Sequence, residues 1–299
     1  MRLTDAGLET VLIFEDGLDL PHFAAFPLVD TDEGRAALRR YYEGFVELAR
    51  DRDVPLVLSA PTWRASPDWG TLLGYEDDEL AAVNGRAVAF IEELAPGGAD
   101  VVIEACVGPR GDAYSPTLVM DADAAERYHA FQLRALAGTG ATQVSALTLT
   151  YPEEAIGIVR AAEGAGLPVV IGFTVETDGR LPSGASIEDA IDAVDAATDG
   201  AAEGFMINCA HPAHFAGALP EGDGRRRLRG LRANASTLSH AELDEAEALD
   251  SGDPADLAAR YLALRRELPE LEVVGGCCGT DIRHVTAICD AWLAADAAR

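Results

Sequence analysis

At 299 residues, with 48% hydrophobic and 25% charged side chains, the chain can bury a large core as one barrel-sized unit or two smaller ones. Asp and Glu number 51 against 23 basic residues, and the resulting net charge of -28 repels phosphate backbones and anionic lipid, which excludes nucleic acid and membranes as partners. Every one of those basic residues is an arginine, so Schiff-base and phosphate-loop lysine chemistry are excluded as well.

Strand-like and helix-like stretches alternate along the chain. Residues 2–7 read as a first strand, and 31–51 as a helix with Leu38, Tyr42, Phe45 and Leu48 at helical spacing. A second strand over 54–60 leads into a loop holding Trp63, Arg64 and Trp69, residues that either wall a pocket or pack. A helix over 77–94 follows, then a third strand over 100–107 and a helix over 122–137. The fourth strand, 143–150, precedes a helix opened by Pro152, a position where a missing N–H does no harm. The fifth strand is 168–175, and Ser186 with Asp189 resembles a capping box for the helix after it. Strands over 203–209, 228–234 and 272–278 complete the set, the seventh entered through the solvated run Arg225 to Arg227. Asp253 with Pro254 fits the cap and first position of a helix, and 281–297 is the last one. Eight strands alternating with helices, with no linker or low-complexity tract, predict an α/β protein built as a single (β/α)8 TIM barrel over 1–299. An open doubly wound sheet would want a glycine-rich phosphate loop after its first strand, which Asp5-Ala6-Gly7-Leu8-Glu9 does not provide.

The N-terminus lacks a basic stretch followed by an apolar core, and no run approaches the roughly 18 apolar residues of a membrane span, so the expected location is the cytoplasm. Five cysteines are few and odd in number, which argues for reduced thiols with local uses. The acidic, lysine-free composition fits either a GC-rich genome or a salty cytoplasm.

Chemistry concentrates in Val273-Val274-Gly275-Gly276-Cys277-Cys278-Gly279-Thr280, an apolar run ending in adjacent cysteines set among small residues. A vicinal disulfide is strained, so two neighbouring thiolates are better explained as ligands of one soft cation. Met206-Ile207-Asn208-Cys209 supplies a third sulfur at the end of another strand. In a barrel all three lie at the C-terminal face, where barrel active sites are built. Three thiolates suit zinc, closed by a fourth protein ligand in a structural site and left open to water or substrate in a catalytic one. Cys289 shares an apolar helix face with Val285, Ile288 and Trp292 and reads as core, while Cys106, near the end of strand three, is open to either reading. His211 and His214 read as surface or capping residues beside Pro212.

These motifs resemble the homocysteine S-methyltransferase family, zinc-dependent (β/α)8 barrels, over nearly the whole chain. Asp5-Ala6-Gly7-Leu8-Glu9-Thr10 is similar to the family's opening motif, Pro61-Thr62-Trp63-Arg64-Ala65-Ser66 to its loop after strand two, and Val107-Gly108-Pro109 to its third-strand end. Ile207-Asn208-Cys209 and Gly275-Gly276-Cys277-Cys278-Gly279 match its three zinc-binding thiolates. The resemblance implies Cys209, Cys277 and Cys278 as ligands of Zn2+, and Asp5, Gly7, Thr62 and Asn208 in the substrate pocket; Glu9, an acidic residue nearby, is a further candidate there. It implies small-molecule partners, a thiol acceptor such as homocysteine and an onium donor such as S-methylmethionine or a betaine, with methionine as product. Two positions depart from the family: Leu149-Thr150-Tyr151-Pro152 lacks a carboxylate after strand four, and Val11 stands where an acidic residue follows the threonine. A methyltransferase for another thiol or selenol, or a zinc-binding barrel without turnover, would use the same thiols.

Overall fold

The strand runs are mostly apolar and mostly buried on both faces, the pattern of a parallel sheet covered by helices. The computed structural model describes residues 1–95, 100–114, 118–246 and 248–298. Its strands are β1 (Arg2–Leu3), β2 (Leu56–Ala60), β3 (Val101–Val107), β4 (Gln143–Leu149), β5 (Val169–Phe173), β6 (Gly204–Asn208), β7 (Leu228–Ala233) and β8 (Val273–Gly276). They close in sequence order into a parallel barrel, β8 pairing with β1 through Arg2 opposite Val273 and Leu3 opposite Val274. The expected (β/α)8 TIM barrel is therefore the fold.

Among the described residues seven long helices pack outside: α1 (Asp32–Arg52), α2 (Asp77–Leu94), α3 (Ala122–Leu136), α4 (Pro152–Ala165), α5 (Ile187–Thr198), α6 (Pro254–Glu267) and α7 (Ile282–Ala297). The local signals that start and stop them are visible in α1. Thr31 Oγ1 accepts from Gly34 N at 3.0 Å, Asp32 and Glu33 sit at the positive end of the dipole, and Asp53 ends the helix at φ 52. Its Leu38, Tyr42 and Phe45 face the core. Ser186 caps α5 by accepting from Asp189 N at 3.0 Å, but its hydroxyl donates to the Asp189 carboxylate at 2.7 Å, where a full box would return to the backbone. No described helix is long and apolar enough to cross a membrane.

The differences from expectation fall at the mouth of the barrel. β1, β6 and β8 leave the ladder before Asp5, Cys209 and Cys277, so the residues with chemistry lie on turns. Between β6 and β7 the two short helices Pro212–Phe215 and Gly222–Arg227 stand where a long one would be. Arg227 ends the second of them and is half-buried, with a two-pronged ion pair to Asp195 at 2.8 Å, so it is less solvated than its run suggested.

Candidate metal and substrate site

Two loops bring the three thiols together. Cys209 turns out of β6 at φ 55, a region L residues adopt only when held there. Its N–H donates to Arg232 O at 3.0 Å, and its carbonyl accepts from Asn234 Nδ2 at 3.0 Å and Thr174 Oγ1 at 3.2 Å, with His240 Nε2 at 2.9 Å. Cys277 and Cys278 follow β8 in a turn closed by Thr280, whose N and Oγ1 both donate to Cys277 O. The turn packs so tightly on the β1 loop that a Cβ at Gly7 would stand 2.5 Å from Cys277 O, so the glycine is required by this backbone contact.

The Sγ atoms of Cys209, Cys277 and Cys278 all lie within 4.8 Å of one another, and the pair Cys209–Cys278 is 3.5 Å apart. Sulfurs bound at about 2.3 Å in a tetrahedral shell sit roughly 3.8 Å apart, so the three thiols are close enough to share one metal ion. Without an ion, donation from Cys209 and Cys278 holds the Cys277 thiol well below its usual range, burial opposing and the Arg232 charge assisting. Cys209 and Cys278, which make those donations, are pushed up.

A cavity of about 630 Å³ opens over the thiols, and Asp5, Gly7, Glu9 and Asn208 line it. Trp63, Arg64 and Trp69 wall it, and Cys106 borders it outside the thiol cluster. Thr62 does not line the cavity. It is fully buried, donating to Cys106 O at 2.7 Å and accepting from Cys106 N at 3.0 Å, so it ties the β2 loop to β3. The amide of Asn208 is likewise engaged: Oδ1 accepts from Thr148 N at 2.9 Å and Nδ2 donates to Thr148 Oγ1 at 2.8 Å. Thr148 is β-branched at φ 66, in a register shift of β4, so Asn208 holds a strained bulge beside the thiols. Cys289 is buried in the core, as its helix face indicated. His211 caps its short helix, accepting from Ala213 N at 3.2 Å, and His214 Nε2 lies 2.9 Å from Thr237 O.

Several groups at the site carried no local sequence signal. Arg232, inside the barrel, pairs with Asp5 at 2.6 Å and donates to Ser59 Oγ at 3.0 Å and Gly276 O at 3.2 Å. Burial works against its charge, but Asp5 and then Glu104 outweigh that cost and raise its pKa. Burial also raises the Asp5 carboxyl, and the Arg232 contact and the Tyr41 hydroxyl at 3.2 Å oppose that rise. Glu9, by contrast, meets no cation at contact distance among the described residues: burial pushes it up to about 7, helped by charge at Cys277 and Asp5. Tyr114 stands over the thiols, its hydroxyl 3.1 Å from Cys209 Sγ and 3.7 Å from Cys278 Sγ. Burial raises the phenol well above its ordinary range, so its hydroxyl keeps its proton and can donate to sulfur. Its ring stacks on His240 at 4.1 Å, and His240 Nδ1 lies 3.1 Å from Glu176.

Thiols gathered at the C-terminal mouth of a parallel barrel, beneath a cavity of substrate size, have the placement of a barrel enzyme's active site and form a candidate site for a soft metal. Residues 3–292 match the family model for homocysteine S-methyltransferase, and the chain belongs to that family of methyltransferases. No curated protein sequence matches it. The homocysteine methyltransferase MmuM from Escherichia coli is similar in structure. Its oxidized form gives a TM-score of 0.75 at 16% identity, covering 96% of this chain and 94% of that one. Its metallated form gives 0.74 at 17% identity, covering 97% and 96%. At such identity the likeness shows the fold, and the family assignment rests on the sequence match.

Proposed function

We propose that the protein moves a methyl group from an onium donor, S-methylmethionine or a betaine-like compound, to the thiol of homocysteine, giving methionine. We take the ion to be zinc, held by Cys209, Cys277 and Cys278. The observation that carries the reading is the convergence of three sulfurs within 4.8 Å at the floor of the cavity. A zinc ion in this set supplies an open position that holds an incoming thiol, ordinarily near pKa 8.5, as thiolate. The chain's own residues then orient and shield. Displacement at a sulfonium or ammonium methyl needs no strong acid or base, because the leaving group departs neutral. Positioning therefore does most of the remaining work. The Tyr114 hydroxyl covers the sulfurs and offers them a hydrogen bond. Leu149 is fully buried in the core and cannot meet an ammonium group, and Asp5 is committed to Arg232, which leaves Glu9 to hold the acceptor's amino group.

Zinc-loaded protein should methylate homocysteine with one of these donors, read by mass spectrometry, and should carry about one zinc per chain. A Cys277→Ser/Cys278→Ser variant should lose both. Metal content unchanged in that variant would rule out the site. Product from a different thiol or a selenol, with none from homocysteine, would keep the chemistry and replace the acceptor.

A further inference from the structure

Two arginines line the cavity, and the protein uses them differently. Arg232 has all three guanidinium nitrogens engaged, by Gly276 O, Ser59 Oγ and Asp5. Arg64, 6% exposed, is held by flat faces: its guanidinium carbon lies 4.0 Å from the Trp63 ring centroid and 3.9 Å from that of Trp69. The indoles are fixed in turn, Trp63 Nε1 donating to Leu147 O at 3.1 Å and Trp69 Nε1 to Pro109 O at 3.4 Å. Arg64 Nη1 donates to Gly111 O at 3.2 Å, and Nε has no hydrogen-bond partner. A guanidinium clamped between two rings can offer hydrogen bonds only in its own plane, the geometry that suits a carboxylate.

Burial pushes Arg64 down to about 10 against the charges of Asp112 and Glu9, so the neighbouring carboxylates do not fully offset the cost of burying this cation. Glu9 is close enough to act on its charge, and among the described residues no hydrogen bond or ion pair joins the two. One cavity thus holds, within electrostatic reach of each other, a carboxylate that no described cation contacts and an incompletely offset guanidinium. The rest of its charged lining is mostly acidic: Asp112, Asp244 and Asp250 beside the thiols. An anionic group entering there needs a cation. We propose that Arg64 is a specificity-determining residue that takes the carboxylate of an α-amino-acid acceptor while Glu9 takes its ammonium group. The proposal rests on the methyl-transfer reading above, and it makes the pocket a clamp for a zwitterion.

The test compares the wild type with Arg64→Gln and Arg64→Lys on homocysteine and on aminopropanethiol, the same thiol without its carboxylate. Arg64→Gln should raise the KM for homocysteine about ten- to a hundredfold, the loss of one charge-assisted contact. The KM for aminopropanethiol should stay within about twofold, kcat should change little, and Arg64→Lys should recover part of the loss. An equal rise for both acceptors would make Arg64 a mere wall and overturn the proposal. So would a loss confined to a carboxylate-bearing donor, seen by comparing dimethylsulfonioacetate with trimethylsulfonium, which would assign Arg64 to the donor. Tryptophan fluorescence from Trp63 and Trp69 reads acceptor binding without turnover. A homocysteine response that Arg64→Gln abolishes, with no methylated product from any pair, would sink the methyl-transfer reading and leave the clamp standing. Product formation unaffected by either Arg64 variant would do the reverse.

Discussion

Arg232–Asp5 inside the barrel mouth and Arg52–Asp290 on the outer helices are the same chemical pair, at 2.6 Å and 2.7 Å, in opposite surroundings. The inner side chains are 6% and 2% exposed, the outer ones 38% and 49%. At the mouth water is largely excluded, so each charge must be paired or shift its pKa. Outside, water and salt already solvate both partners. The mouth also holds its backbone in costly conformations, Thr148 at φ 66 and Cys209 at φ 55, whereas the β2–β3 ladder runs without a break from Leu56 opposite Val101 to Ala60 opposite Ala105. Order at the site comes from buried polar contacts, and bulk stability from the apolar ring beneath it.

The largest expected effect breaks the inner pair. Arg232→Met leaves Asp5 buried without its cation and should cost about 3–5 kcal/mol in denaturant unfolding. Arg52→Met should leave the midpoint unchanged within error. Comparable losses in the two variants would mean that the inner pair is solvated after all. Next comes the clamp on the strained bulge. Asn208→Ala removes both contacts to Thr148 and should cost about 1–3 kcal/mol, with a larger proportional loss of bound metal and activity. Adding Thr148→Gly, which accepts φ 66 without strain, should restore part of that stability. Leu58→Ala, in the regular half, should cost about 2–5 kcal/mol through its cavity while activity per folded molecule persists.

This division explains how much the sequence discloses. The alternation of aliphatic runs with helical spacing is repeated eight times and yields the barrel, and Gly275-Gly276-Cys277-Cys278-Gly279 with Cys209 marks the thiols because glycines and cysteines rarely cluster without cause. Arg232 shows only as a charged residue in an apolar strand, and Tyr114 and His240 as single residues on separate loops; their meaning depends on contacts across 95 or more positions for Tyr114 and 227 for Arg232. Asn208 and Thr62 were visible as motif residues, but that Thr148 and Cys106 engage them follows from the barrel's register alone.

Glu9 gives a smaller effect with a definite sign. Burial raises its pKa to about 7 from an ordinary 4.5, so the folded protein holds a proton that the unfolded chain has released. Its contribution is fully present below about 4.5 and is lost as pH rises toward 7; Glu9→Gln should flatten stability over that window. Binding runs the other way, because only the carboxylate attracts an ammonium group. The kcat/KM for homocysteine should climb as pH passes about 7 in the wild type, and Glu9→Gln should lose roughly tenfold at the upper end. A pH profile shared by both proteins would remove Glu9 from the acceptor site.

The smallest effect lies on the outer surface. With a net charge of -28, like charges outnumber the exposed ion pairs, so repulsion should dominate the long-range electrostatics of the folded state. Raising salt from ~0.1 M to ~1 M shortens the screening length from about 10 Å to about 3 Å, which weakens attraction within pairs as well as repulsion between neighbours. The sign of the response therefore reports which is greater, and repulsion predicts a rise in the thermal midpoint of about 2–4 °C. The penalty for Arg232→Met should hardly change over the same range, because both side chains of the inner pair are buried and salt screens buried pairs much less. A midpoint that falls with salt would mean that the surface pairs carry net stability, and the contrast between inner and outer charges would then be one of degree.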